Sequence, residues 1–393
     1  MSKKKIYITL FTLATGGAER HVSHIANYLS DLGYDITIVL LSNGIVNYHL
    51  NSDIEVVDLQ SLDYPNTIGS VNVFEKIQLK YYKLFSSKKY EWHDHKIWLN
   101  NYYFKKFEYY FSKQENIQNS LVISFMTVPN ICASVSKKNM GYKLILAEFN
   151  SPSGEFSCDT PEDKLRKKYF NECDGFVFQT EEERDYYSYL GNYKSAIIPN
   201  PLEVIDVQPS GKRNKVIVNF CRLATVKNIP LLVDAFSMLY EDYPDYKLVI
   251  YGEGYEKQNI LNHIKEKHLE DSIEIRPFSS NVLELVCNCA MFVSSSNIEG
   301  ISNSMIEAMA IGLPTICTDC PAGGARMFIK SYENGILTPV GDAEALYKAM
   351  KYMIENPDKA EQMGKKAMEI RETLKKEKIL NKWGEFIKEV IEK

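Results

Sequence analysis

The feature that most constrains the fold is the order of apolar runs near the start of the chain. Lys5–Phe11 is short, apolar and rich in β-formers, and Gly16-Gly17 follow it. Across Ala18–Leu32, Val22, Ile25, Ala26 and Leu29 recur at three- and four-residue intervals, the spacing of one buried helix face. Gly33 ends that helix, and Asp35–Leu41 reads as another buried strand. Strand, glycine turn, helix and strand in this order open a doubly wound α/β sheet. Ile54–Leu59, Leu121–Phe125, Leu144–Glu148, Gly175–Gln179 and Ala196–Ile198 continue the series, which Pro199-Asn200-Pro201 closes.

Residues 203–214 read as a linker, and a second α/β series follows. Its strands are expected at Lys215–Phe220, Lys247–Tyr251, Ile273–Ile275, Met291–Ser294 and Pro314–Thr318, with a helix over Ile229–Leu239 and helices through the last ~50 residues. With 393 residues, two domains are expected. The reading is two similar α/β halves with a cleft between them. In such sheets ligands bind outside the carboxyl ends of the strands.

Composition removes several function classes. Lys plus Arg total 46 against 51 Asp plus Glu, a net charge of -5, so nucleic acid is not an expected partner. Eight cysteines are too sparse for a disulfide scaffold. The N-terminal apolar run is short and lacks a signal-peptide cleavage site, and no segment supplies the ~20 apolar residues of a spanning helix. A cytoplasmic protein with reduced thiols is expected.

Three strand-to-helix loops could carry chemistry. In Ser294–Gly312 a strand runs into a polar loop and then a helix from about Asn303, capped by Ser302 or Asn303. Its unpaired amides and positive dipole end suit a phosphate. Glu299 lies in the loop and Glu307 one turn into the helix; Glu307 alone would read as a residue favouring the dipole, but two glutamates around one anion site say more. After the first strand of the second half, Arg222 and Lys227 suggest a diphosphate clamp, against the ordinary reading of two solvated cations. Gly16 and Gly17, in the first strand-to-helix turn, allow close approach to a ligand or simply make a tight turn. The Gly-x-Gly-x-x-Gly dinucleotide fingerprint is absent.

Together these segments resemble the retaining glycosyltransferases of family 4, the type found in bacterial capsule, exopolysaccharide or lipopolysaccharide synthesis. The matching stretches are Gly16–Arg20, Phe178–Thr180 with Ile198–Pro201, Arg222–Asn228, Tyr251–Gly254, Glu299–Ala310 and Asn334–Asp342. The glutamate pair enclosing Asn-Ser-Met-Ile is the most specific element. The resemblance implies a GT-B fold, two Rossmann-like domains facing across a cleft. An acceptor-side domain would occupy 1–203, joined by a helix within 374–393 that crosses back. A nucleotide-sugar domain would occupy 204–373.

The same resemblance assigns roles. Arg222 and Lys227 would neutralise the donor diphosphate, and Glu307 would hold the ribose hydroxyls. Glu299 would face the sugar, with backbone groups of Gly300, Ile301, Ser302 and Asn303 fixing its hydroxyls. Ser304 would offer its amide to a phosphate; Arg276, Pro277 and Phe278 would flank the base; Gly16 and Gly17 would approach the donor from the other domain. Two positions depart from the family: Cys221 stands where glycine often precedes the clamp arginine, and Phe149 where relatives often carry histidine or arginine. Phe149 therefore has no acid/base role.

Breaking a sugar–phosphate bond leaves negative charge on the departing diphosphate, which fixed cations and a helix start stabilise. No Asp-x-Asp element is present, so no cofactor and no metal are expected. The pairs Cys317/Cys320 and Cys287/Cys289 have a zinc-like look but read as small buried residues. Residues 71–113 interleave lysines with aromatics, a composition suited to a membrane interface, against the alternative of aromatics packed on the first sheet.

The expected activity is transfer of a hexose or N-acetylhexosamine from a nucleotide-sugar, UDP being favoured by the resemblance, to a hydroxyl of a growing, lipid-linked surface polysaccharide. The expected location is peripheral, at the inner face of the cell membrane. The alternatives are a nucleotide-sugar epimerase of the same fold and a non-catalytic nucleotide-sugar-binding scaffold.

Overall fold

The structure is a computed structural model. It describes residues 3–63, 103–149 and 161–392, apart from positions 15, 43 and 192. The chain divides into two units. The first comprises Met1–Phe178, Arg184–Ile198 and Leu380–Lys393, and the second Gln179–Glu183 and Pro199–Ile379.

The first unit is built on a seven-stranded parallel sheet: β1 (Lys5–Leu10), β2 (Asp35–Leu40), β3 (Glu55–Asp58), β4 (Leu121–Phe125), β5 (Lys143–Ala147), β6 (Gly175–Phe178) and β7 (Lys194–Ile197), in the order β3-β2-β1-β4-β5-β6-β7. The central strands are buried along nearly their whole length, as expected when helices cover both faces. A helix over Gly17–Asp31 follows β1 and buries Val22, Ile25, Ala26 and Leu29, the four positions its spacing marks. The helix Thr127–Met140 after β4 has no clear apolar stripe in sequence; Met126 starts it at φ 72°.

The C-terminal helix, Lys376–Ile391, brings Trp383 into this unit's core, against Phe125 and His21 at ring-centroid distances of 5.6 and 6.0 Å. Gly175 permits that packing, because a Cβ there would lie 2.9 Å from Val390 Cγ2. The Lys143 ammonium donates to the carbonyls of Val390 and Ile391 at 2.8 and 3.1 Å, helping to satisfy the helix end.

The lysine-aromatic stretch 71–113 falls largely outside the described residues. At its described end, from residue 103, the aromatics pack on the first sheet, while residues 71–102, which carry the rest of the membrane-facing expectation, lie outside the described residues. Residues 103–112 are helical, and Tyr103, Phe107 and Phe111 pack into the core beside Tyr7 and Tyr142. Even Lys106 is buried, its ammonium reaching the Leu59 carbonyl at 3.4 Å.

The second unit repeats the topology with six parallel strands: β8 (Val216–Phe220), β9 (Lys247–Tyr251), β10 (Ile273–Arg276), β11 (Met291–Ser294), β12 (Thr315–Thr318) and β13 (Ile336–Thr338), ordered β10-β9-β8-β11-β12-β13. The three-residue β13 was not legible as a strand. The helix Ile229–Asp242 covers one face with Leu232, Val233, Phe236 and Leu239. In this order the chain reverses direction across the sheet between β8 and β11, so the loops leaving those two strands flank the crevice where such sheets bind ligands. Those loops carry Arg222 and Lys227 on one side and Glu299 on the other.

Candidate active site

The loop after β8 is built against the loop after β9. Cys221 donates its N–H to the Tyr251 carbonyl at 3.0 Å, and Leu223 to the Glu253 carbonyl at 2.8 Å. Gly252 and Gly254 make this approach possible. A Cβ at either would lie about 2 Å from a carbonyl oxygen, 1.9 Å from that of Cys221 and 2.0 Å from that of Leu223. Arg222 therefore leaves from a backbone clamped on both sides of it.

A single 3-10 turn, Thr225–Lys227, leads to Asn228, a left-handed residue at φ 44° that precedes the covering helix. The loop after β11 is stitched to this turn. The buried Ser295 hydroxyl lies 3.0 and 2.9 Å from the carbonyls of Lys227 and Asn228, and Asn297 N–H donates to the Val226 carbonyl at 2.8 Å. Below it, the Asn219 amide donates to the Val293 carbonyl at 2.8 Å, joining β8 to β11. The result brings the Lys227 ammonium directly onto the Glu299 carboxylate, both largely withdrawn from solvent, with Ser296 Oγ donating to the same carboxylate at 3.3 Å.

Glu299 is also pinned by its backbone. Its N–H donates to the Pro321 carbonyl at 2.8 Å, and its carbonyl accepts from Ala322 at 3.0 Å. Gly324 fits behind Gly300, where a Cβ would come within 1.8 Å of the Gly300 oxygen. Ile301 is buried in the same turn. Ser302 caps the helix Asn303–Ala310, its Oγ accepting from Met305 N–H at 3.4 Å and lying 3.1 Å from Ser304 Oγ. Ser304 and Glu307 are three residues apart on this helix and share a face.

That face, the β8 loop and the β9 loop enclose a cavity of about 410 Å³. Arg222, Ser304 and Glu307 line it together with Phe220, Cys221, Tyr251, Gly252, Glu253, Phe278, Ser279 and Val282. Phe278 is 75% exposed, a large aromatic left open at the wall of a pocket. A mostly apolar cavity with a few convergent polar groups is the usual form of a small-ligand site.

The sequence-derived set is thus partly convergent. Arg222, Phe278, Ser304 and Glu307 share one cavity, while Lys227 and Glu299 are paired to each other on the adjoining turns. Arg276 is turned away from the cavity wall: its guanidinium donates to Tyr251 Oη at 2.9 Å and to Glu274 at 2.7 Å, so that Tyr251 stands in the wall instead. Pro277 is likewise absent from the lining. Gly16 and Gly17 belong to the first unit, where the Tyr48 phenol accepts from the Gly16 N–H and donates to the Gly16 carbonyl, each at 2.8 Å. Phe149 lies in that unit's core against His21 and Phe125. Ser279 and Val282 are not marked by the sequence, whereas Tyr251 and Glu253 fall in the matching stretch Tyr251–Gly254, which the resemblance left without a stated role.

The cysteines behave as buried thiols. Burial pushes Cys221 and Cys320 up to about 11 and raises Cys317 well above its ordinary value, so all three are protonated near neutrality. Among the described residues no group of three His, Cys, Asp or Glu side chains is placed to hold a metal ion, and no helix is long and apolar enough to cross a membrane.

Comparison with known proteins agrees with this geometry. The family "Glycosyl transferases group 1" matches residues 203–370, which lie within the unit that carries the cavity. An uncharacterized glycosyltransferase of Haemophilus influenzae is 24% identical over 97% of this chain and 99% of its own. The Campylobacter jejuni N-acetylgalactosamine-N,N'-diacetylbacillosaminyl-diphospho-undecaprenol 4-alpha-N-acetylgalactosaminyltransferase is 26% identical over 90% of this chain and 91% of its own. Among solved structures, S. aureus TarM, bound to fondaparinux, alpha-GlcNAc-glycerol and UDP, aligns with a TM-score of 0.73 at 16% identity over 99% of this chain and all of its own. Pneumococcal GtfA in complex with UDP and GlcNAc aligns with a TM-score of 0.74 at 15% identity over both chains in full. The fold is GT-B, residues 203–370 match the group 1 glycosyltransferases, and the chain is a glycosyltransferase similar along nearly its whole length to proteins so named.

Proposed function

We propose that the protein is a retaining glycosyltransferase that moves a hexose or N-acetylhexosamine from a UDP-sugar to a hydroxyl of a growing, lipid-linked surface polysaccharide. The observation that carries this reading is the convergence of Arg222, Ser304, Glu307 and Phe278 on one cavity, beside the Lys227–Glu299 pair. The UDP complexes of TarM and GtfA support the choice of nucleotide. The diphospho-undecaprenol in the name of the Campylobacter relative supports a lipid-linked acceptor. Location at the inner face of the membrane rests on that acceptor and on the lysine-aromatic composition of residues 71–102.

In this reading Phe278 stacks on the base, and Glu307 accepts hydrogen bonds from the ribose hydroxyls. Arg222, Lys227 and the amides at the start of the Asn303–Ala310 helix hold the diphosphate. The bond from the anomeric carbon to the phosphate oxygen breaks, and its electron pair leaves with the diphosphate. The acceptor oxygen bonds to the anomeric carbon, and its proton passes to a phosphate oxygen of the departing diphosphate. Charge grows on the phosphate oxygens during this step, so preorganised cations there lower the barrier. Glu299 faces the sugar, and the residues 300–303 offer backbone groups to its hydroxyls. The chemistry needs no bound metal in this account.

The test is UDP release from a panel of UDP-sugars with and without a polysaccharide or lipid-linked acceptor. Release that depends on acceptor supports transfer; release or isomerisation of the donor with no acceptor would point to an epimerase. Arg222→Ala and Glu307→Ala, each folded normally by melting temperature, are expected to lower turnover by two orders of magnitude or more (about 3 kcal/mol). Wild-type turnover in both would remove the site assignment.

A further inference from the structure

The turn that carries Lys227 is held from two sides, and only the inner side belongs to the crevice. There, Ser295 and Asn297 fasten it to the β11 loop. On the outer side the tether is Thr225, the first residue of the same 3-10 turn. Its N–H donates to Tyr255 Oη at 3.3 Å, its Oγ1 lies 3.3 Å from the same oxygen, and its Oγ1 donates to Glu256 Oε1 at 2.7 Å. Glu256 is itself held through its other oxygen by the Asn259 side-chain amide at 2.9 Å. Tyr255 is 72% exposed. A tyrosine that open gains little from burial, so its contribution here lies in its hydrogen bonds.

The tether connects the β8 loop to the β9 loop just beyond Gly254, where Leu223 accepts from Glu256 N–H at 3.2 Å. Thr225 and Lys227 are the two ends of one short turn, with Val226 between them. Sliding Thr225 therefore moves the point from which the lysine side chain departs. Donor atoms held in place before the ligand arrives bind a charged group better than donors that must be reordered.

We propose that Thr225, anchored by Tyr255 and Glu256, is a positioning residue for Lys227 and sets the approach of its ammonium to the donor diphosphate. The proposal rests on the assignment of Lys227 to the diphosphate. Neither Thr225 nor Glu256 reaches the cavity wall, so the effect passes through the backbone of the turn.

The experiment compares dissociation constants for a nucleoside diphosphate and its monophosphate. The probe is whichever of UDP, GDP and ADP the wild-type protein binds most tightly. Thr225→Val is expected to weaken the diphosphate about five- to tenfold, the size of a lost hydrogen bond, and to leave the monophosphate within about twofold. Thr225→Ser is expected to restore wild-type binding, and Tyr255→Phe to show a smaller loss in the same direction. Thr225→Val combined with Lys227→Ala is expected to be no weaker than Lys227→Ala alone.

Equal weakening of mono- and diphosphate, failure of the serine variant to rescue, or full additivity with Lys227→Ala would each overturn the proposal. If Lys227→Ala weakens the diphosphate and Thr225→Val does not, the positioning role alone falls. If Lys227→Ala binds as wild type does, or none of the three diphosphates binds, the diphosphate assignment falls and takes the positioning role with it.

Discussion

Lys227 and Glu299 already satisfy each other, so a diphosphate must compete for the lysine. Their side chains are only 14% and 21% exposed, which keeps water from screening the pair fully. Two unit charges 4 Å apart attract by about 1 kcal/mol in water and about 4 kcal/mol at an effective dielectric constant of 20. Desolvation offsets part of this. Surrendering the pair should then cost the incoming ligand about 1–2 kcal/mol, or roughly five- to thirtyfold in affinity. Glu299→Gln keeps the shape of the side chain and removes its charge. The variant is expected to bind UDP about tenfold more tightly than the wild type while its sugar transfer falls. Titration calorimetry with UDP at fixed ionic strength measures the first effect, and acceptor-dependent UDP release the second. Adding Lys227→Ala should abolish the gain, since the gain acts through that ammonium. Unchanged or weaker UDP binding by a folded Glu299→Gln protein would refute the competition argument.

Two further perturbations probe other parts of the structure. Gly254→Ala places a methyl group 2.0 Å from the Leu223 carbonyl, so the β8 loop must move; a stability loss of about 1–3 kcal/mol and at least tenfold weaker UDP binding are expected, and wild-type affinity would show that this turn does not set Arg222. His21 is fully enclosed by the first unit, with neither ring nitrogen hydrogen-bonded, and burial holds it down to about 3. The unfolded chain therefore binds a proton, near pH 6.5 and below, that the folded chain refuses. The stability contributed is complete above about 6.5 and is lost as pH falls toward 3, at about 1.4 kcal/mol per pH unit. His21→Leu should flatten the fall in melting temperature between pH 7 and pH 4.5; parallel curves for the two proteins would refute the assignment.

The fold was largely legible because parallel strands covered on both faces leave long apolar runs, and because glycines mark the turns between them. Among the described residues, twelve of the thirteen strands coincide within a residue or two with the expected apolar runs, Lys5–Leu10, Val216–Phe220 and Met291–Ser294 among them. The elements that escaped notice lack that local signature. β13 has three residues, and the helix Thr127–Met140 mixes polar and apolar positions because its buried side accepts Asn130 and Ser134. There Asn130 donates to Glu148 Oε1 at 2.7 Å and Ser134 to the Asn130 carbonyl at 2.8 Å. The stretch 103–112 was legible as aromatic and basic, yet whether its rings face inward depends on what they meet, here Tyr7 and Tyr142.

Residue type and spacing along the chain determined that this protein is a pair of doubly wound α/β units, with two cations on one strand-end loop and two glutamates around one helix start. Each of those inferences needs only neighbours within a turn or two. Tertiary structure alone decided which of the charges meet. Lys227 falls on Glu299 and Arg222 shares a cavity with Glu307 because the order β8-β11 places loops about seventy residues apart side by side, and Arg276 turns to Tyr251 because β10 pairs with β9. A side chain's partner is set by distance in space, and that distance is created only when the strands pair.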